Sequence, residues 1–392
     1  MKQLPFIAAH RLIASLAASL ALLGSTHAGV LPDDRADVLL HSYQGGGIEI
    51  KGPSILVRKK FGDHVSAAYN YYADHITGHV DTISGASVDA VSGASAYKED
   101  RTQHSLSVDA LLGKVTYSAG FIDSNENDYK AKTAFASVSE DMFGDLTTVT
   151  FGVVRGWDKV GERGAPTFSA STDRRNWQLG LSQILTRNLL LNLNFESSES
   201  EGFLNNPYRR VRYLDTLEAR GYATEKEQYP HTRTGNAGSL QVKYHLPGRG
   251  ALDGSYRYYG DTWGIRAHTG QLGVTQPLFR SWLLDGHVRY YRQIHANFYS
   301  DLFPFASAQN FLARDRELAT FKSMTLGVGA TWQFHPPGWS HVQKASLNAR
   351  LDRLRINYDD YRDLRVTGVA PGTEPLYTLD ATVAQFFISA WF

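Results

Sequence analysis

One short pattern occurs twice, eight residues apart: Asp81-Thr82-Ile83-Ser84-Gly85-Ala86-Ser87 and Asp89-Ala90-Val91-Ser92-Gly93-Ala94-Ser95. In each copy a serine hydroxyl closes a Gly-Ala step with no bulk around it. A modifying enzyme could therefore reach Ser87 or Ser95 as an acceptor, with Asp81 or Asp89 helping to position the segment. The same residues also suit a repetitive Ser/Gly/Ala surface loop. His75 and His79, with Asp74 and Asp81 nearby, are metal-ligand types. On a strand, however, the two histidines would stand roughly 13 Å apart and could not share an ion, so a solvated strand end is the plainer expectation. Arg209, Arg210 and Arg212 interleave with Tyr208 and Tyr213. Such a cluster suits lipid phosphates or, folded inward, selection of anions, against the alternative of an ordinary charged loop. Asp359, Asp360 and Asp363 could hold a divalent ion at a surface or form a solvated acidic loop. There is no G-x-S-x-G elbow and no paired Glu/His metalloprotease signature, so catalysis by the chain's own side chains is not expected. Cysteine is absent, which excludes disulfides, thiolate metal sites and iron–sulfur clusters in this chain.

The elements that must carry these residues read as strands. Leu106, Val108, Ala110 and Leu112 alternate with Ser105, Ser107 and Asp109. Past Gly113-Lys114 the pattern resumes as Val115, Tyr117, Ala119 and Phe121 against Thr116, Ser118 and Gly120. Leu189, Leu191, Leu193 and Phe195 oppose Asn192, Asn194 and Glu196, and Met324 to Phe334 repeats the period. An apolar face against a polar one at period two suits a strand between lipid and a hydrated lumen, although a soluble sandwich shares the period. Connection lengths separate the two. Tight turns at Gly62-Asp63, Gly113-Lys114, Phe143-Gly144-Asp145, Thr186-Arg187-Asn188, Pro247 to Gly250, Phe279-Arg280-Ser281 and Pro336 to Trp339 alternate with longer polar segments. Those segments lie near 78–102, 123–131, 157–173, 200–234, 299–319 and 360–375, with one short connection near Gly260 to Gly264. Short periplasmic turns and long surface loops mark a membrane barrel. Fifteen strands follow from Ile48 onward. Asp37 to Tyr43, before Gly45-Gly46-Gly47, supplies a sixteenth, with fourteen as the alternative.

Both ends agree. Lys2 and Arg11 precede an apolar run, Leu12 to Leu23, that is too short to span a bilayer, and Thr26-His27-Ala28 offers a cleavage site. The expected organisation is a secretory signal peptide over 1–28, a short periplasmic segment over 29–36 and one all-β, antiparallel transmembrane barrel over 37–392. Removing Lys2 and Arg11 from the 40 basic residues leaves 38 against 39 acidic ones, and a near-neutral chain argues against a nucleic-acid partner. At the other end Phe392, Ala390, Ile388, Phe386 and Ala384 form an apolar stripe at period two. That stripe is what a closing strand presents to lipid, and it is similar to the C-terminal signal read by the barrel-assembly machinery.

Leu31 to Asp63, Gly93 to Tyr129, Ser139 to Trp157, residues 202–215 (GFLNNPYRRVRYLD) and residues 299–321 resemble a bacterial outer-membrane β-barrel family of unknown function, domain of unknown function 3570. The resemblance covers essentially the whole mature chain. It implies a place in the outer membrane of a Gram-negative bacterium, among outer-membrane lipids. It also implies a gene neighbourhood holding a small periplasmic lipoprotein, a thioredoxin-like protein and an FMN transferase. The two serine motifs resemble the D-x-x-S/T-G-A-S/T signature at which such a transferase joins FMN through a phosphoester. Covalent FMN at Ser95 or Ser87 is thus one expectation, with Ser in place of the more frequent Thr and with a loop on the side away from the periplasm.

The expected function is a channel or a transport or scaffold component. It rests on the inward polar set Ser107, Asp109, Asn192, Asn194, Glu196, Asp285, Arg289 and Gln333. A flavin-linked electron-transfer barrel and a lipid-modifying enzyme are the alternatives, the latter without a recognisable site.

Overall fold

A computed structural model describes residues 29–78, 97–162, 165–336 and 338–392. The expected signal peptide lies outside the described residues. The first half of the chain forms β1 (Arg35–Gly45), β2 (Ile48–Phe61), β3 (Val65–Gly78), β4 (Tyr97–Leu112), β5 (Val115–Asn125), β6 (Tyr129–Met142), β7 (Thr147–Gly161), β8 (Ser169–Thr186) and β9 (Leu189–Gly202). A short pair, β10 (Arg210–Leu214) and β11 (Tyr222–Lys226), follows. The rest is β12 (Thr232–His245), β13 (Ala251–Asp261), β14 (Arg266–Leu278), β15 (Trp282–Gln293), β16 (Phe321–Phe334), β17 (Lys344–Arg362) and β18 (Leu376–Trp391).

Sixteen of these strands close into one antiparallel barrel in chain order, with β9 beside β12 and β18 beside β1. The closing seam runs in register from Arg35 opposite Trp391 to Gly45 opposite Ala381. Sixteen is the even count expected from the sequence, and Asp37 to Tyr43 lies inside β1. The tight turns from Gly62-Asp63 to Pro336–Trp339 fall on the side where β18 ends, whereas the two-residue β1–β2 turn at Gly46-Gly47 lies on the opposite side. Phe143, Gly144 and Asp145 take the positive φ that so sharp a reversal demands.

The outward positions are the apolar ones. Leu40, Ile55, Leu106, Leu179, Leu272 and Val328 all stand exposed on the exterior. A band of this extent would be an aggregation hazard in water, and it fits hydrocarbon. Its inner rim carries the stacked pair Trp282 and Trp332, and Tyr256, Tyr258 and Tyr290 stand exposed higher on the same side of the barrel. Strands of 11 to 19 residues exceed the roughly 9–11 needed to cross a bilayer, so the longer ones project beyond it and support the surface loops.

One break in the ladder shapes the interior. Pairing of β2 with β3 jumps from Lys51–His75 to Ser54–Tyr72, across Gly52-Pro53. Pro53 has no N–H to donate. At Gly52 a Cβ would stand 1.7 Å from the carbonyl oxygen of Ala73, so only glycine permits this approach. Gly52 also lies directly opposite His41 of β1, and the missing side chain lets His41 and Asp74 meet across β2.

Candidate functional site

Loop segments on the side away from the chain ends pack into a large buried hydrophobic cluster. Leu204, Tyr229, Phe298, Tyr299, Ala313 and Leu318 are buried among Trp263 and Ile265 of the β13–β14 turn and Tyr358, Tyr361, Tyr377 and Leu379 of β17–β18. Segment 294–320 runs through this core and segment 203–231 crosses beside it. Gln228 and Leu312 exchange both backbone hydrogen bonds, and the Leu214 N–H donates to the Phe303 carbonyl. From its base between β9 and β12, segment 203–231 sends the Tyr208 hydroxyl to Asp128 in the β5–β6 connection and Arg212 to Glu374 in the β17–β18 connection. Those three corners are spaced about evenly around the sixteen-strand ring, so the segment spans the opening. The sequence led to an expectation of polar surface loops here. Their aromatic residues are too irregularly spaced to show either periodicity, and the burial comes from loop packing against loop.

The short β13–β14 turn that the sequence singled out anchors this core. Both oxygens of Asp261 are used: Oδ1 accepts from the backbone N–H groups of Trp263 and Ile265, each at 3.0 Å, and Oδ2 accepts from Arg233. The Arg233 guanidinium lies 4.5 Å from the Trp263 ring centroid. Gly264 takes φ +90, and the Asn297 carboxamide closes over it. A cleft of about 280 Å³ opens beside them, lined in part by Thr262, Phe298, Gln309, Asn310 and Phe311.

An arginine–carboxylate lattice holds the loops to one another. Arg212 is fully buried and donates to both oxygens of Glu374, at 2.5 and 3.1 Å, and to Asp301. Arg314 donates to the Asp301 side chain at 2.8 Å and to the Arg362 carbonyl at 2.9 Å. Arg209 lies 3.2 Å from Asp315. Glu227 accepts from the Arg314 backbone N–H at 2.7 Å and from the Tyr229 hydroxyl at 2.6 Å. Burial works against ionisation of Asp301, yet Arg314 and Arg212 together hold its carboxyl below the usual range. Glu374 is likewise opposed by burial and held low by Arg212. For Glu227 burial wins, and with the Asp315 charge added its carboxyl is pushed up to about 7.

The signs of these shifts set a pH response. Because the packed-state pKa of Glu227 is raised, its stabilising contribution is present below about 4.5 and is lost as pH rises through about 7. Asp301 and Glu374 act oppositely, their contribution being present above their ordinary values and lost on strong acidification. Loop packing should therefore weaken from pH 5 to pH 8. Limited proteolysis of the loops should speed up by at least about tenfold over that range, which corresponds to a loss of about 1.4 kcal/mol of packing free energy. Glu227→Gln should flatten the profile; an unchanged profile in that variant would rule out Glu227 as its source.

Below the mouth the inward face is polar. Asp109 accepts from Arg58 at 2.6 Å and from Ser118 at 2.7 Å. Glu196 accepts from Asn176 at 2.7 Å and Arg257 at 3.0 Å, and Asn192 donates to Gln241 at 3.2 Å. Asp285 lies 3.9 Å from Arg350, whose guanidinium also reaches His287 and Asp352. Gly327 makes room for that cluster, since a Cβ there would meet Asp352 and His287 at 2.0 Å. On the β1–β5 arc His41 stacks on Tyr72 and bonds Asp74 at 2.7 Å, and Arg101 lies 3.6 Å from Glu126. The sequence did not reveal this second cluster. Its one signal was the Gly52-Pro53 interruption of an otherwise regular strand.

The sequence candidates distribute as follows. Ser87, Ser95, Asp81 and Asp89 lie outside the described residues, as does His79. His75 faces outward and pairs with Asp100 at 2.5 Å, whereas Asp74 faces inward to His41, so the two project from opposite faces. Arg209 and Arg212 are spent on the loop lattice, while exposed Arg210 donates to the Thr224 hydroxyl and carbonyl. Asp359 pairs with Lys322, Asp360 accepts from Thr320 and His295, and Asp363 holds Arg365, each separately. Phe386 and Ile388 project outward at the seam, and the Phe392 N–H donates to the Asp34 carbonyl at 3.2 Å.

No curated protein sequence matches the chain. Among solved structures it is similar to a bacterial polysaccharide outer membrane secretin, with 8% identity over 92% of this chain and 100% of that one and a TM-score of 0.49. It is also similar to a Pseudomonas aeruginosa FadL homologue, with 10% identity over 92% and 91% of the two chains and a TM-score of 0.46. A third is the CymD monoaromatic hydrocarbon channel, with 7% identity over 95% and 92% and a TM-score of 0.43. The barrel architecture itself rests on this chain's own closed register, from Arg35–Trp391 around to Lys344–Trp391. A family model described as a protein of unknown function (DUF3570) matches residues 163–387, more than half of the chain, and the protein belongs to that family.

Proposed function

We propose that the protein is a transport barrel of the outer membrane, a water-filled passage narrowed at its outer mouth by its own folded loops. The observation that carries this reading is segment 203–231 bridging three spaced corners of the ring above a polar, charge-lined interior. Water and small polar solutes suit that interior, because the luminal charges of Asp109, Glu196 and Asp285 each face a partner of opposite sign within the wall, and the lining stays polar without one dominant charge. A scaffold with no passage would gain little from charged side chains along the full height of its interior. In planar bilayers the wild-type protein should give small, stable ion-conducting steps. A variant with 298–313 replaced by a Gly-Ser linker of equal length should give larger ones. Absence of conductance in both would overturn the channel reading.

A further inference from the structure

Basic side chains stand together on the outward face of β15–β17. Arg292 of β15 and Lys322 of β16 stand directly opposite one another, and His268 of β14, its ring hydrogen-bonded to the Tyr256 hydroxyl at 2.6 Å, stands on the other side of Arg292. Arg353 and Arg355 of β17 extend the patch, opposite Leu326 and Met324. Like charges in direct cross-strand register are destabilising, since their Cβ atoms stand only about 4.5–5.5 Å apart. The carboxylates within the patch do not balance it. Asp359 lies 3.5 Å from Lys322, Asp380 is shared at 3.4 Å by Arg353 and Arg355, and Arg292 is exposed. Like charges also face one another on β6–β8, with Lys130 opposite Lys159 and Arg155 opposite Arg175. There, however, Asp173 pairs with Arg155 and Glu199 stands opposite Arg175, whereas the β15–β17 patch gathers four basic side chains against Asp359 and Asp380.

The height of the row is informative. Counted from the ends of their strands on the tight-turn side, Arg292, Lys322 and Arg355 stand ten, twelve and eleven residues up. At about 3.3 Å per residue and a tilt near 40°, that is roughly 25–30 Å, the outer edge of an apolar band about 25 Å tall. Tyr290, Met324 and Leu326 project outward just beneath. The row thus sits where acyl chains give way to headgroups in the outer leaflet.

We infer that the exterior of β14–β17 is a binding site for the phosphorylated headgroup of an outer-leaflet glycolipid, whose acyl chains lie on Tyr290, Met324 and Leu326. A phosphate between Arg292 and Lys322 turns a repulsive pair into two charge-assisted contacts, and Arg353 and Arg355 reach a second anionic group on the same lipid. The inference rests on the barrel standing in the outer membrane and is independent of whether it conducts.

Native mass spectrometry of the full mature barrel in non-ionic detergent tests it, with bisphosphorylated lipid A and its fully dephosphorylated counterpart as probes. The phosphorylated lipid should be retained and the dephosphorylated one lost. Arg292→Gln/Lys322→Gln should weaken retention on the order of thirtyfold, from about 1 kcal/mol for each charge removed at the surface. Lys322→Arg should retain the lipid. Arg249→Gln/Arg280→Gln removes the same charge from exposed tight turns at the opposite end of the barrel and should leave retention unchanged. Equal retention of both lipids, or equal loss in the two double variants, would overturn the site. Displacement of the lipid by millimolar inorganic phosphate would overturn the lipid assignment in favour of a free-anion site. Conductance read on the same preparations separates this outcome from failure of the channel reading.

Discussion

Arg212→Met is expected to loosen the mouth of the barrel while the barrel itself stays closed. Arg212 is fully buried, supplies the guanidinium that pairs with Glu374, and shares Asp301 with Arg314. Methionine fills much of the same volume but leaves carboxylates buried with too little compensating charge. Removing one partner of such a network costs about 3–5 kcal/mol, far more than a surface pair. Asp301 and Glu374 would relieve that cost by taking up protons or by swinging into water, and either course breaks the tie between segment 203–231 and the β17–β18 connection. The strand ladder shares none of these contacts, so heat-modifiable migration should persist. Conductance steps should become larger and noisier, and loop proteolysis faster. Conductance and proteolysis both identical to wild type would show that the lattice does not govern the mouth.

Phe386→Arg is expected to act on the barrel as a whole. Phe386 projects outward from β18, five residues from Trp391, which at about 3.3 Å per residue and a tilt near 40° places it roughly 13 Å into a band about 25 Å tall. A guanidinium at that midplane costs about 2–4 kcal/mol, and the position lies on the seam, opposite Leu40 of β1 and Ala349 of β17. The seam is the one pairing that joins the two ends of the chain, so a penalty there falls on barrel closure. The heat-modifiable band should be lost or sharply reduced in membrane fractions. Phe386→Leu, which keeps the face apolar, should restore it, and full membrane yield of the arginine variant would argue against a lipid-facing seam.

Much of this architecture was legible in the chain because the physics behind it is local. Lipid outside and water inside impose a period of two on every strand, so Leu106/Ser107 or Leu193/Asn194 each declare their face without reference to the rest of the fold. Turn length declares the side for most connections, and counting strands left sixteen against fourteen until the closed pairing settled on sixteen. The mouth was not legible, because nothing local distinguishes Arg209 or Arg212 in a charged loop from the same residues buried against Asp315, Asp301 and Glu374. Their partners lie about 90 to 160 residues away, and only loop packing brings them together. The His41–Asp74 contact depended on a glycine in the strand between them, and the cation row of Arg292 and Lys322 on strand register. The sequence alone determined the barrel and the facing of its strands, since these follow from solvation residue by residue, while the choice of sixteen strands over fourteen came from the pairing of β1 with β18. Tertiary structure decided which charges are spent on holding the loops and which remain exposed, since an ion pair is a property of distance in space and not of spacing along the chain.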